Sequence, residues 1–244
     1  MTGESGEQVG APEVTTSHGL PDRTLDQASA QVRAPWAASI AGLLFAALFT
    51  AALVLMRSSP LSAADDVELR SLMAEGRDQW LFVGAMYLAP FAGIMFLWFI
   101  AVVRDQVGER EDRFFATVFF GSGLLFVALL FAAAAVAGSL TVGFRYLGLP
   151  APSMDEVAST RALGYTLLFG FSTRAAAVFL FSMGTIGMRS QTFPKWLAWT
   201  AYLAGLVLLL VVAFFDWIVL ILPAWVAVVS VFILRRERAG RHRA

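Results

Sequence analysis

The 244-residue chain is 58% hydrophobic and 15% charged, where an ordinary soluble domain runs at roughly 45–50% and 25%; so much apolar surface calls for lipid as part of the solvent. A formal net charge of zero leaves no concentrated basic surface to neutralise nucleic-acid phosphates. The absence of cysteine removes disulfides, thiolate metal sites and cysteine nucleophiles.

Residues 1–35 are polar, rich in Gly, Ser, Thr, Glu and Pro, and carry no apolar periodicity. They bury too little surface to offset the entropy of ordering, so a disordered cytoplasmic tail is expected. Residues 36–56 then form an uncharged apolar run, long enough at about 1.5 Å per residue to cross about 30 Å of hydrocarbon. Ser62, Ala63 and Ala64 ahead of Asp65 have the form of a signal-peptidase site. The run is longer than the about 7–15 residues of a signal's apolar region, so it is read as a retained first span.

Further apolar runs cover 80–103, 114–137 and 162–188, followed by a continuous stretch over 196–234 that is broken only around Asp216 and Trp217. That stretch is twice the length of one crossing, so a helical hairpin turning there is expected, with spans over 196–215 and 217–234. A basic tail, 235–244, comes last. The expected fold class is all-α, a polytopic membrane bundle of six transmembrane helices, because lipid offers no partner for backbone N–H and C=O groups outside a helix or closed barrel.

Orientation comes from the cations. With the N-terminus inside, the cytoplasmic segments hold Arg23, Arg33, Arg104, Arg110, Arg113, Arg189, Lys195 and the arginines of the tail, against Arg57, Arg70, Arg77, Arg145 and Arg161 outside. The excess places both termini in the cytoplasm. Trp36, Trp80, Trp98, Trp196, Trp199 and Trp217 fall near span ends, where an amphipathic ring favours the headgroup region, and Trp225 lies deeper.

Two outer loops are alike. PLSAADDVELR (60–70) and PSMDEVASTR (152–161) each carry a Pro, a Ser able to cap a helix, two adjacent acids, a Val and an Arg ahead of a span. A tandem duplication of a helical hairpin accounts for this, and so does the ordinary preference of acids for helix N-termini. Small residues four apart, as in Ala38, Gly42 and Ala46, in Ala85, Ala89 and Gly93, and in Ala201 and Gly205, are expected to let neighbouring helices approach closely.

Arg174 stands out, since an arginine near the bilayer centre costs roughly 2.5–3.5 kcal/mol on insertion scales. It should face the bundle interior and have partners. Pro90 lacks an N–H and so frees the carbonyl of Met86, the expected acceptor. Tyr87, Tyr202, Thr166 and Asp216 complete a candidate ligand-binding set for a small anionic or lipidic ligand around Arg174. The leading reading is that Arg174 ties the fourth span to the second through backbone carbonyls; the alternative is a carrier or receptor that binds such a ligand near Arg174. Thr166, Gly170, Arg174, Ala177, Ser182 and Thr185 recur at roughly helical spacing, which predicts one polar, buried face. Helix kinks are expected at Pro90 and Pro223.

The loop RDQVGEREDR (104–113) reads as a solvated turn, or as a docking site for a protein partner. The tail RRERAGRHR adds about 1 kcal/mol per cation of attraction to anionic lipid. The two histidines, His18 and His242, sit in the polar ends, so no histidine is available within the spans to ligate haem or metal or to act as a base. No metal, cofactor or catalytic residue is assigned, and the expected role is non-enzymatic: packing, assembly or accessory.

Arginine far outnumbers lysine, alongside heavy Ala, Gly, Val and Leu usage. The stretch from Val103 to Ala135 resembles uncharacterised multi-pass membrane proteins of high-GC bacteria. The resemblance implies a bacterial cytoplasmic membrane and carries no activity.

Overall fold

The computed structural model describes the backbone of residues 22–57, 65–76, 78–107, 113–190, 194–211 and 217–241. The chain divides into two units, Met1–Arg33 and Ala34–Ala244. Of the expected N-terminal tail, the described part is the helical backbone from Asp22 onward, where α1 (Asp22–Arg57) begins. The apolar stretches all belong to the second unit.

The order is α1, α2 (Asp66–Ala74), α3 (Asp78–Phe82), α4 (Ala89–Val107), α5 (Arg113–Tyr146), α6 (Met154–Tyr165), α7 (Thr173–Ser190), α8 (Lys195–Leu210) and α9 (Ile221–Arg241). A π-helical segment, Val83–Leu88, joins α3 to α4, and a second, Thr166–Ser172, joins α6 to α7. A 3-10 turn, Ile218–Leu220, leads into α9. Among the described residues, five stretches are long and apolar enough to cross a membrane: Trp36–Arg57, Asp78–Arg104, Phe114–Tyr146, Met154–Arg189 and Ile218–Arg236. The chain is thus an all-helical, membrane-embedded protein. The remaining apolar helix, Lys195–Leu210, is shorter than these five.

Two spans begin or end further out than hydropathy indicates. The third continues past Ala137 to Tyr146, through Gly138, Ser139, Thr141 and Gly143, because its last turns pack on the loop helices rather than on lipid. The fourth starts at Met154 rather than 162. Ser153 opens it with a full capping box: its hydroxyl accepts from the Glu156 N–H while the Glu156 carboxylate accepts from the Ser153 N–H. In the equivalent first loop the cap is Asp65, whose carboxylate accepts from Glu68 N–H at 2.7 Å. Ser62, the capping serine suggested by the likeness of the two loops, lies outside the described residues.

Both prolines act, though not as mid-helix kinks. Pro90 is the second residue of α4, directly after the π-helical segment. There Ala89 donates to Gly84 across five residues, so the distortion takes the form of a widened turn. Pro223 lies in the opening turn of α9, just after the 3-10 turn, where its missing N–H costs least.

The core is a column of phenylalanines contributed by four spans. Phe45 and Phe96 rings lie 4.6 Å apart, Phe96 and Phe126 5.1 Å, Phe96 and Phe179 5.0 Å, and Phe119 and Phe179 4.9 Å. All five are fully buried. A second, smaller cluster joins Leu69 and Met73 of α2 to Val157 of α6, backed by Leu140 and Phe144 of α5. The two similar loop helices therefore meet on the same end of α5.

The small-residue positions serve packing within the chain. A Cβ on Gly42 would fall on Phe99, Val226 and the Ser230 hydroxyl, and one on Gly93 would strike the Phe131 ring. Between α7 and α8 the approach is reciprocal: Gly184 faces the Ala198 carbonyl and Gly205 faces the Ala177 carbonyl, each 3.1 Å from where a Cβ would stand. The two contacts are seven residues apart on each helix and run in opposite senses, so α8 lies antiparallel along α7. Trp225, the one deep tryptophan, is buried and donates to the Thr200 hydroxyl at 3.3 Å. The other six are exposed on the bundle surface.

Gly184→Val is expected to lower stability by about 1–3 kcal/mol, since backbone on the facing helix must move to admit the side chain. Gly121→Ala, where an added Cβ meets nothing within 4 Å, should stay within about 0.5 kcal/mol of the parent. Thermal unfolding of both variants in the same detergent checks the pair.

Candidate functional site

Arg174 lies on the second residue of α7, immediately after the π-helical segment Thr166–Ser172. In that segment the Thr173 N–H bonds the Leu168 carbonyl, five residues back. The Phe169 carbonyl thereby loses its usual helical donor. Two side chains replace it: the Thr173 hydroxyl donates at 2.6 Å and Arg174 Nη1 at 2.8 Å. Arg174 Nη1 also donates to the Gly170 carbonyl and lies 3.3 Å from Thr173 Oγ1. The guanidinium leans toward the helix N-terminus, as helical side chains do.

The expected acceptor, the Met86 carbonyl of the second span, is therefore replaced by carbonyls of Arg174's own helix. The reason is proximity. A wide turn one step upstream exposes acceptors within reach of a side chain that already leans that way, and no second helix is needed.

The other candidate residues do not gather around it. Thr166 is exposed and donates to the Ala162 carbonyl at 2.8 Å. Tyr87 is exposed, with its ring 5.8 Å from Phe82. Tyr202 joins α8 to α7 by a 2.8 Å hydrogen bond with the Thr185 hydroxyl. Asp216 lies outside the described residues.

The single polar face expected from Thr166 to Thr185 does not form: Ala177 and Ser182 are buried, while Thr166 faces out. A π turn inserts one extra residue and so rotates the face on either side of it relative to the other. A stripe counted at helical period cannot cross it intact. Among the described residues, no group of three His, Asp or Glu side chains stands close enough to hold a metal.

Hydropathy reading missed a pair that the structure makes central to one end of the bundle. Asp78, at the start of α3, is 1% exposed. Arg145, in the last turn of α5, clasps it with both arms of its fork, Nε to Oδ2 at 2.6 Å and Nη2 to Oδ1 at 2.5 Å. Nη2 also reaches the Met73 carbonyl at the end of α2, and Thr141 Oγ1 donates to the Asp78 carbonyl, both at 3.4 Å. The chain between α2 and α3 turns at Gly76, whose φ of 77° suits glycine, and this turn brings Asp78 under the arginine. The available signal was an acid at the start of an apolar run, where the helix dipole favours it.

Beside this end lies a cleft of about 180 Å³ between the end of α1, the middle of α5 and α6. Arg57, Thr160 and Arg161 supply its polar wall; Ala133, Ala137, Gly164, Leu168 and Phe169 supply its apolar one. The Arg57 guanidinium stacks 4.9 Å over the Trp217 ring and that of Arg161 5.4 Å over Tyr165. A narrow apolar slot shares Leu53, Met56, Ala133 and Leu168 with the cleft and continues to Phe49, Ala89 and Leu130.

No family model, curated protein or solved structure matches the chain. The class that the fold defines is an all-helical protein with apolar helices long enough to span a membrane.

Arg145→Leu strands a buried carboxylate and is expected to cost about 3 kcal/mol, the lower end of the range for a broken buried pair, since Arg145 is 37% exposed and water screens part of the interaction. The double variant Asp78→Leu/Arg145→Leu should recover much of that loss. Denaturant titration in mixed micelles of the parent, the single and the double variant measures the difference.

Proposed function

We propose that the chain is a six-span integral protein of a bacterial cytoplasmic membrane, with both termini cytoplasmic, acting without catalysis as a packing, assembly or accessory component. The observation that carries this reading is the settlement of Arg174 on the carbonyls of its own helix. The one charge expected deep in the bundle bonds local carbonyls through Nη1, and Thr166, Tyr87 and Tyr202 make their contacts elsewhere.

The sixth crossing is supported by the ends of the α8–α9 pair. At one end, Trp196 of α8 lies 6.4 Å from Phe232 of α9. At the other, Trp217 lies under Arg57, at the far end of the first span from Trp36. The sixteen residues of α8 rise about 24 Å, and the hairpin reaches the level where the first span ends.

The charged ends also segregate. Arg104 stacks on Phe120 and Arg189 on Phe115 at one end of α5, whereas Arg145, Arg161 and Arg57 belong to the other. Together with the basic C-terminal segment, the first end is the richer in cations, which favours the cytoplasm.

Alkaline phosphatase fused at Ala244, or between Gln106 and Glu111, should be inactive, and a fusion after Leu149 active. Activity at Ala244 with silence at the 106–111 site would mean five crossings. Arg174→Leu should keep or raise the stability measured by denaturant titration in mixed micelles, because the removed charge served its own helix; a loss of more than about 2 kcal/mol would show that it holds something further.

A further inference from the structure

We infer that the cleft between α1, α5 and α6 takes one unbranched hydrocarbon chain of a membrane lipid, recognised by its apolar part alone and without regard to the charge of its headgroup.

The two cations at the mouth, Arg57 and Arg161, are already engaged. They stack on Trp217 and Tyr165, and neither is free, so recognition belongs to the wall further in. Gly164 shows that the space there is kept open by the sequence. A Cβ added at Gly42, Gly93, Gly138, Gly184 or Gly205 would fall within 3.1 Å of another helical segment; in those places a missing side chain admits a neighbour. At Gly164 the nearest atom would be 3.9 Å away. Its missing side chain admits no helix and instead widens the cleft, opposite Ala133 and Ala137 of α5. A void with apolar walls forfeits the dispersion contacts of its lining, and water finds too few partners there to fill it. The filler at hand inside a membrane is a lipid chain.

Depth and width set the kind of chain. Leu53 and Met56 lie within one turn of Arg57, the charged end of the first span. The slot continues to Phe49, eight residues and about 12 Å along α1, which is the direction a chain takes from headgroup level into the hydrocarbon. Leu163 and Tyr165, exposed beside Gly164 on the same helix, join the cleft to the lipid-facing surface, so a chain enters sideways from the bilayer. At about 180 Å³ the cleft is close to the roughly 150 Å³ cavity that takes benzene, and it holds a stretch of about six to eight carbons. The slot beyond adds about 20 Å³, little more than the roughly 10–15 Å³ of one water-sized sphere. That width passes a methylene chain and excludes a methyl branch or a ring.

The inference rests on the membrane placement, which vesicle flotation tests separately: a protein that floats but retains no lipid sinks the chain site alone. The decisive experiment reconstitutes the full chain in vesicles of equal dimyristoyl phosphatidylcholine, dimyristoyl phosphatidylglycerol and diphytanoyl phosphatidylcholine, extracts it gently, and identifies retained lipid by native mass spectrometry. The parent should keep one dimyristoyl lipid, its two headgroups within about twofold of each other and each at least about fivefold above the methyl-branched lipid. Gly164→Leu fills the cleft and should cut retention about tenfold. Gly121→Leu adds the same side chain where nothing lies within 4 Å and should retain lipid as the parent does. In lipid-free detergent Gly164→Leu should melt no lower than the parent; a fall of more than about 5 °C would mean the space is already filled, against the proposal. Unchanged retention in Gly164→Leu, an equal loss in Gly121→Leu, or equal retention of the branched lipid would overturn it. So would a preference of about tenfold for phosphatidylglycerol, which would make headgroup charge the recognised feature, or a lipid-free dimer, which would assign the cleft to a second copy.

Discussion

Every structural choice in this chain answers to the requirement that a peptide carbonyl in hydrocarbon find a donor. Ordinary α-helix meets it residue by residue, which is why the apolar stretches are helical throughout their described length. The two π-helical segments are where the regular ladder is interrupted, and each is resolved locally. At Thr166–Ser172 the vacated Phe169 carbonyl is taken by a hydroxyl and a guanidinium from the next turn. At Val83–Leu88 the wide turn lies immediately before Pro90, the residue that cannot donate. An arginine that hydropathy alone makes costly thus finds its acceptors in a neighbouring irregularity, beside a hydroxyl that serves the same carbonyl.

Packing between helices obeys a second constraint, that lipid tails are as apolar as the side chains they compete with. Association then relies on close fit. Reciprocal glycine contacts between α7 and α8 bring backbone near backbone, and the phenylalanine column fills the space where four spans converge. Apart from Arg174, the charged side chains described within the bundle gather toward its two ends, several of them stacking on aromatic rings and, in Asp78 and Arg145, clasping each other.

The sequence made the apolar stretches, the tryptophan placement and the small-residue contacts legible, because each depends on composition within one helix turn or two. It did not reveal where spans end when the cause is tertiary. The outward extension of α5 reflects Arg145 holding Asp78, a partnership across sixty-seven positions that no local window registers. Thr166 would share a face with Ser182 only under an unbroken helical period, and the π turn at 166–172 breaks it. The same wide turn gives Arg174 acceptors on its own helix, which a regular ladder would not expose. The cleft depends on three helices meeting, with Arg57 and Arg161 separated by two whole spans, so nothing in either neighbourhood marks it.

A π turn is an α-helix carrying one surplus residue, so each segment records where the register of a span was offset by a single position. Removing one residue from within 83–88 would restore the regular ladder and swing everything ahead of it by about 100° around the axis. Asp78 would then face away from Arg145 while the phenylalanines after Pro90 kept their places. The surplus residue is a phase adjuster: it lets one continuous rod satisfy two neighbours, the aromatic column along its length and the clasp at its tip, whose directions do not share a helical period.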